Sequence, residues 1–148
     1  MRVAVKLLEG LRVLDVSRGI SGNFAARQMA DLGADVVLVE PPGGCPSRRT
    51  GPFPGDVPNP EASGTFLYLN LGKRAVTLNL ESISGRNMFR QLCSTADAVI
   101  TDVGPDEVDR LGLDLTSVQQ HTPSLVVAAV SHLGGGPYEH HQSVELTD

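Results

Sequence analysis

The chain has 148 residues, 41% of them hydrophobic, which is enough for one domain with a substantial core and too little for two. Its 12 Lys and Arg and 17 Asp and Glu give a formal charge of −5, which disfavours a general nucleic-acid surface and leaves any anionic ligand to local groups. The N-terminal sequence MRVAVKLLEG matches neither a signal peptide nor a membrane span, and the two cysteines suggest no disulfide framework. We therefore expect a cytoplasmic protein with no membrane and no nucleic-acid partner.

The first part of the chain has the pattern of a strand, a helix and a second strand. Apolar residues predict a strand over residues 12–16, helical spacing predicts a helix from about 23 to 32, and Gly33 is placed to end that helix. The β-branched run over residues 35–39 is typical of a buried parallel strand, with Glu40 at its carboxyl end.

A long loop follows this second strand. Residues 41–64 hold seven of the ten prolines and five glycines and show no helical or strand period, so we expect no regular element there. The next element is predicted from about residue 75, so the Pro/Gly-rich segment is assigned to about residues 41–74. Loops of this length are often lids over a ligand site, and this one carries Arg48 and Arg49.

The rest of the chain continues the alternation of strands and helices. We predict strands over residues 75–80, 98–101 and 125–131, the last one buried. Helices are predicted around residues 84–93, capped by Ser82 or Ser84, and over residues 105–111, ended by Gly112. The alternation implies an α/β fold with an open, mostly parallel sheet and helices on both faces, whose ligands bind at the carboxyl ends of the strands.

The turn after the first strand is a candidate anion site. It places Gly19, Gly22 and several backbone N–H groups at a helix N-terminus, where the helix dipole favours a phosphate. A purely structural tight turn explains the two glycines equally well. An NAD site is a second alternative, because Glu40 lies near the spacing of a ribose-binding acid, although the first glycine of the dinucleotide motif is absent.

Other side chains suggest binding more than catalysis. Arg48, Arg49, Lys73 and Arg74 are four cations that are candidates to face one ligand, with scattered surface charge as the alternative. Asp15, inside an apolar strand, is interpreted as a structural carboxylate. No serine has the context of a hydrolase nucleophile, and the four histidines, at positions 121, 132, 140 and 141, have no metal-binding spacing. We expect no metal site.

Longer stretches of the sequence resemble one enzyme family. The segments are LEGLRVLDVS at 8–17, ADLGADVVLVEPPGG at 30–44, NLGKRAVTLNL at 70–80, ADAVI at 96–100, DRLGL at 109–113 and GPY at 136–138. In this order they resemble the class III CoA-transferases, the CaiB/BaiF family. The resemblance implies that residues 1–148 form a Rossmann-like, CoA-binding portion of an enzyme that moves CoA between carboxylic acids through an aspartyl-CoA thioester. It also implies a homodimer, with coenzyme A or acyl-CoA and a carboxylic acid as substrates and no tightly bound cofactor.

The resemblance also implies a set of CoA-contacting residues. By matching positions these are Arg18, Gly19, Ile20, Ser21, Glu40, Pro41, Leu78, Asp102, Val103 and Arg110, to which we add the cations Arg48, Lys73 and Arg74.

Two departures from the family qualify this resemblance. The family usually has an Asn-Phe pair where this chain has Asp102 and Val103. Its nucleophilic Asp lies well beyond the Gly-Pro-Tyr loop, so we expect no catalytic residue in these 148 residues, and no turnover by them alone, whether they are cut from a longer protein or form a truncated relative. Val144 stands where the related acyl-CoA racemases have a catalytic His, which favours a transferase. The remaining alternatives are a racemase, a non-catalytic acyl-CoA or nucleotide-binding module and an NAD-dependent oxidoreductase fragment.

Overall fold

A computed structural model describes residues 6–104, 107, 108, 111 and 115–131. The strands are β1 (Arg12–Asp15), β2 (Asp35–Glu40), β3 (Arg74–Thr77), β4 (Ala98–Thr101) and β5 (Val126–Ala129). The helices with defined bounds are α1 (Ile20–Asp31), α2 (Gly64–Asn70), α3 (Ile83–Cys93) and α4 (Leu115–His121). None of the helices in these ranges is long and apolar enough to cross a membrane.

The five strands form one parallel sheet in the order β3-β2-β1-β4-β5. The chain builds the sheet outward from β1 in one direction as far as β3, and then returns to place β4 on the other side of β1. In open α/β sheets, ligands bind at the carboxyl ends of the strands near such a reversal. The predicted α/β fold with a parallel sheet is confirmed.

Helices cover both faces of this sheet. Val13 and Ile100 point to one face and pack in a cluster with Ala26 of α1. Their neighbours Leu14 and Val99 point to the other face, in a cluster that also contains α3 and α4 side chains. Because adjacent strand residues alternate between faces and both faces are covered, the middle of each central strand is apolar, which explains the β-branched runs in the sequence.

Helix α1 ends as its sequence predicts but begins earlier. Gly33 has a φ of 101°, and hydrogen bonds from Gly33 N to Ala30 O and from Ala34 N to Met29 O close the helix in a Schellman motif. The helix starts at Ile20 rather than near residue 23, so Gly22 lies inside it.

The Pro/Gly-rich segment contains more regular structure than predicted. Two short 3-10 turns occupy Pro46–Arg49 and Pro54–Asp56, and α2 lies within the segment assigned to residues 41–74. The hydroxyl of Ser63 caps α2 by accepting a hydrogen bond from Phe66 N, and it donates toward Ser47 O and Thr50 O. The expectation of an irregular segment is therefore wrong, because one serine both starts a helix and ties the preceding loop to it.

The two edge strands also differ from prediction. β3 ends at Thr77, three residues before the predicted end. β5 has the apolar sequence of a buried strand, yet among the described residues it lies at one edge of the sheet, and 60% of Val126 is exposed. Its buried placement was wrong because apolar composition does not report whether a neighbouring strand is present. The predicted helix over 105–111 and its stop at Gly112 lie largely outside the described residues.

Candidate functional site

A pocket of about 430 Å³ opens at the carboxyl ends of β1, β2 and β3. Its size is within the usual range for a small-molecule site. The wall contains Arg18 after β1, Pro41 and Pro42 after β2, and Asn79 and Leu80 after β3. The other lining residues are Gly44, Pro46, Glu81, Glu107 and Leu111. This is the edge of the sheet at which the sequence predicts ligand binding.

Arg18 is the cation that the described residues bring to this pocket. Its guanidinium donates a hydrogen bond of 3.4 Å to Val39 O at the end of β2. The side chain is held at the pocket wall and is only partly buried. A guanidinium in this position can meet an anionic group of a ligand.

The glycine turn beside Arg18 already holds an anion, the carboxylate of Asp102. The backbone N–H groups of Arg18, Gly19 and Gly22 donate to its two oxygens at 2.6, 2.9 and 3.2 Å. Asp102 follows β4, so it reaches the turn from the neighbouring strand. The expectation of a phosphate on this turn is at odds with this arrangement, because the same N–H groups are used by the protein itself.

Both glycines of the turn make room for neighbouring atoms that lie close to their Cα atoms. Neither is needed for a left-handed backbone conformation, because neither has a positive φ. A Cβ on Gly19 would lie 3.0 Å from Asp102 Oδ2, and one on Gly22 would lie 2.9 Å from the same atom and against Ser17 Oγ. The tight turn is therefore structural, as the alternative interpretation held: Gly19 leaves room for the Asp102 carboxylate, and Gly22 leaves room for the Ser17 side chain and for that carboxylate.

The carboxylate of Glu40, at the end of β2, forms an ion pair with Arg48. The guanidinium nitrogens Nη2 and Nε donate to Oε1 and Oε2 at 2.8 and 2.7 Å, and Cys45 N donates to Oε2 at 3.1 Å. The Arg48 hydrogen bonds hold the pKa of Glu40 below its usual value. This pair folds the loop after β2 back onto the sheet, so Pro41, Gly44 and Pro46 form one wall of the pocket. Lid movement by this loop stays a prediction.

Lys73 and Asp15 form a buried ion pair. Lys73 Nζ donates to Asp15 Oδ2, Asn23 O and Asn70 Oδ1, each at 2.8 Å. Both side chains are almost fully buried, at 1% and 0% exposure. Burial lowers the pKa of Lys73 and raises that of Asp15, and the attraction between them opposes both shifts. Ser17 N also donates to Asp15, which is the contact with neighbouring backbone that its interpretation as a structural carboxylate predicts.

The structure does not bring the four predicted cations to one ligand. Arg48 is paired with Glu40, Lys73 is buried against Asp15, and Arg74 binds Asp35 at 2.6 Å near the amino ends of the strands. Arg49 donates to Gly43 O. The prediction that the four cations share one ligand is corrected, because three of them are each paired with a carboxylate of the protein.

The other predicted contacts that the structure describes are not among the residues that line the pocket. Leu78 and Val103 are buried in the core cluster, so a ligand would meet mainly their backbone atoms. Ile20 and Ser21 lie in the first turn of α1, and Ile20 is 45% exposed. Arg110 lies outside the described residues, as do the Gly-Pro-Tyr loop, Val144 and three of the four histidines. Of the described side chains, no three His, Cys, Asp or Glu residues are grouped to hold a metal.

The cysteines do not add a nucleophile to the site. Both are buried and free. Burial raises the pKa of Cys45 to about 11 and that of Cys93 to about 12, so both thiols are protonated near neutral pH.

Sequence analysis missed Asn79, Leu80 and Glu81 as pocket residues. They follow the observed end of β3, whereas the predicted strand extended through residue 80. The sequence Ala-Val-Thr-Leu-Asn-Leu alternates like a longer strand. It does not indicate that the strand lies at the edge of the sheet and ends at Thr77.

Comparison with known proteins identifies relatives over nearly the whole chain. A family model described as CoA-transferase family III matches residues 8–147. The succinyl-CoA:(R)-benzylsuccinate CoA-transferase subunit BbsE of Thauera aromatica is 39% identical over 92% of this chain and 33% of its own length. A formyl-CoA:oxalate CoA-transferase of Streptomyces coelicolor is 37% identical over 97% of this chain and 34% of its own length.

A solved structure shows the same fold. The crystal structure of the hypothetical protein Rv3272 from Mycobacterium tuberculosis matches with a TM-score of 0.81 and 32% identity, over 94% of this chain and 38% of that one. The chain thus spans about a third of the length of the relatives it matches.

Proposed function

The chain belongs to CoA-transferase family III, and from this premise we propose that it forms the CoA-binding part of an enzyme that moves coenzyme A between carboxylic acids. The observation that carries the proposal is the pocket at the carboxyl ends of β1, β2 and β3, with Arg18 in its wall. The proposed substrates are a CoA thioester and a free carboxylate. Two relatives support this class, one named for succinyl-CoA and benzylsuccinate and the other for formyl-CoA and oxalate.

In this proposal, the pocket binds CoA through one charged contact and several apolar contacts. Arg18 meets an anionic group of CoA, and Pro41, Pro42 and Leu80 offer apolar surface to its rings and chain. Gly19, Ile20, Ser21, Leu78, Asp102, Val103 and Arg110 remain proposed contacts from matching positions. Glu40 and Arg48 support the wall through their ion pair. Because Arg48 binds both oxygens of Glu40, the NAD alternative, in which Glu40 binds a ribose, is disfavoured.

The proposed chemistry is covalent catalysis by an aspartate carboxylate. The carboxylate attacks the acyl carbon of the thioester and the CoA thiolate leaves, which gives a mixed anhydride. The thiolate then attacks the aspartyl carbonyl and releases the acyl group as a carboxylate, which leaves an aspartyl-CoA thioester. The acceptor carboxylate reverses these steps to take the CoA. We assign no residue of this chain to that nucleophile, and we propose that the 148 residues bind CoA without turning it over by themselves.

Replacing Arg18 with Gln is expected to weaken CoA binding about five- to tenfold, because one charge-assisted contact is lost. Isothermal titration calorimetry with CoA measures the change. Arg90→Gln is the matched control, because Arg90 lies on α3, outside the pocket lining, and contacts Asn87 Oδ1. It should leave the affinity unchanged.

The same titrations with NAD test the proposal against its alternative. Binding of NAD without binding of CoA would contradict a CoA site. Equal weakening by Arg18→Gln and Arg90→Gln would show that the pocket is not where CoA binds.

We also propose a homodimer, supported by an exposed apolar surface on α1 and α2. Phe24 and Tyr68 stack with ring centroids 6.4 Å apart, and Leu67 and Leu71 beside them are 55% and 62% exposed. Exposed apolar patches of this kind mark interaction surfaces.

Replacing both Leu67 and Leu71 with Ser is expected to reduce self-association, because it removes apolar area from this surface. Sedimentation velocity at increasing protein concentration measures it. Ile83→Ser with Met88→Ser on α3 is the control, since both residues are also exposed. A wild-type protein that stays monomeric at high concentration would refute the dimer in this chain.

A further inference from the structure

The carboxylate of Asp102, a residue proposed above as a CoA contact, is bound by the turn before α1. It stands 84 residues from Arg18 in the chain and accepts three hydrogen bonds from the start of α1. Gly19, the N-cap residue of α1, provides no side-chain cap. Asp102 therefore does from outside the helix what an N-cap side chain does from within it.

This arrangement has the geometry of a bound oxyanion. A helix N-terminus with glycines that admit close approach is the position at which many α/β proteins bind a phosphate. Here Asp102 Oδ2 is the atom that a Cβ on Gly19 or Gly22 would meet at about 3 Å. The carboxylate and a ligand phosphate cannot use these N–H groups together.

We propose that Asp102 is a positioning residue that excludes ligand phosphate from the α1 turn and holds the backbone of Arg18 so that its guanidinium faces the pocket. Two structural features support this assignment. The shortest of the three hydrogen bonds, 2.6 Å, goes to Arg18 N itself. The Arg18 side chain then spans from the turn to Val39 O and the pocket wall. The proposal does not depend on which ligand the pocket binds, because it concerns only which anion accepts the hydrogen bonds of the turn before α1.

Pyrophosphate is the probe, followed by amide chemical shifts of Arg18, Gly19 and Gly22 in ¹H–¹⁵N spectra. In the wild type, pyrophosphate is expected to leave these three signals in place. In Asp102→Ala it is expected to shift all three in a saturable manner, because it enters the position that the carboxylate held. Asp97→Ala is the matched control, because Asp97 Oδ2 likewise accepts a backbone hydrogen bond, from Arg12 N, but at the amino end of β1.

Two results would overturn the proposal. Saturable shifts of the three signals in the wild type would mean that Asp102 does not exclude phosphate. The absence of such shifts in folded Asp102→Ala would mean that the turn does not bind anions when it is vacated. Neither result depends on CoA, so a failure of CoA binding is distinguishable from a failure of this proposal.

A second variant keeps the test valid if Asp102→Ala does not fold. Asp102→Asn has the same shape but exchanges one acceptor oxygen for an NH2 group, so at least one of the three amides loses its acceptor. That amide is expected to exchange with solvent several-fold faster than in the wild type. Unchanged exchange at all three amides would contradict the proposed hydrogen bonds.

Discussion

Replacing Lys73 with Met is expected to lower the free energy of unfolding by about 3–5 kcal/mol, the usual cost of removing one partner from a buried ion pair. The Asp15 carboxylate, at 0% exposure, would lose the ammonium that compensates its charge. Asn23 O and Asn70 Oδ1 would lose a donor as well. Urea denaturation at neutral pH measures the change.

The neighbouring Arg74 provides a matched control. It also pairs with an aspartate, Asp35, but the two side chains are 65% and 40% exposed. Water already solvates this pair, so Arg74→Met is expected to cost about 1 kcal/mol or less. If Lys73→Met costs no more than Arg74→Met, the buried pair does not have the stabilising role that its geometry indicates.

A double variant tests whether the cost of Lys73→Met comes from the unpaired charge that it leaves on Asp15. Asp15→Asn removes the buried negative charge and keeps an oxygen that accepts from Ser17 N. Combined with Lys73→Met, it is expected to restore part of the lost stability, with a coupling of about 1–3 kcal/mol between the two positions. Burial raises the pKa of Asp15 and lowers that of Lys73, so each charged group is costly without the other.

The central strands and their burial on both faces could be predicted from local sequence because the signal for them is local. A β-branched run such as residues 35–39 reports burial on both faces, and Gly33 reports a left-handed helix end. The helix α2 was missed because proline and glycine dominate its surroundings, although Ser63 provides a local cap signal.

The site residues were harder to predict because their partners are distant in the chain. Lys73 meets an aspartate 58 residues away, and Asp102 meets the backbone of Arg18, 84 residues away. A sequence shows a charge but not the group that neutralises it. Lys73 and Arg74 therefore looked available to a ligand, although the fold pairs them with Asp15 and Asp35. Asp102 reaches the turn before α1 because β4 lies beside β1 in the sheet.

Replacing Glu40 with Gln is expected to lower the free energy of unfolding by about 2–3 kcal/mol at neutral pH, since a charge-assisted, two-point contact with Arg48 is lost. The amide nitrogen of Gln cannot accept from Arg48 or from Cys45 N, which both donate to the carboxylate. Chemical denaturation followed by circular dichroism measures the difference from the wild type.

The pH dependence of that difference tests its cause. Hydrogen bonds from Arg48 lower the pKa of Glu40 from its ordinary value of 4.5, so the folded protein binds fewer protons here than the unfolded chain does. The stabilisation is therefore complete above about pH 4.5 and is lost as the pH falls through the lower, folded-state pKa. Asp35, whose pKa is lowered by its hydrogen bonds with Arg74, titrates in the same window, but it is present in both proteins and cancels in the difference.

Glu61→Gln is the control that shows whether the effect of Glu40→Gln is specific to the buried carboxylate. It also contacts Arg48, at 3.4 Å, but its side chain is 83% exposed. Glu61→Gln is expected to change stability by about 0.5 kcal/mol or less, because an exposed pair competes with water. Two results would contradict the role of the Arg48–Glu40 pair in fixing the loop. One is a loss of unfolding free energy in Glu61→Gln as large as that in Glu40→Gln. The other is an effect of Glu40→Gln that is the same at about pH 3 as at about pH 7. Glu40 acts on the pocket through the wall that Arg48 folds into place, so Glu40→Gln is expected to weaken CoA binding as well.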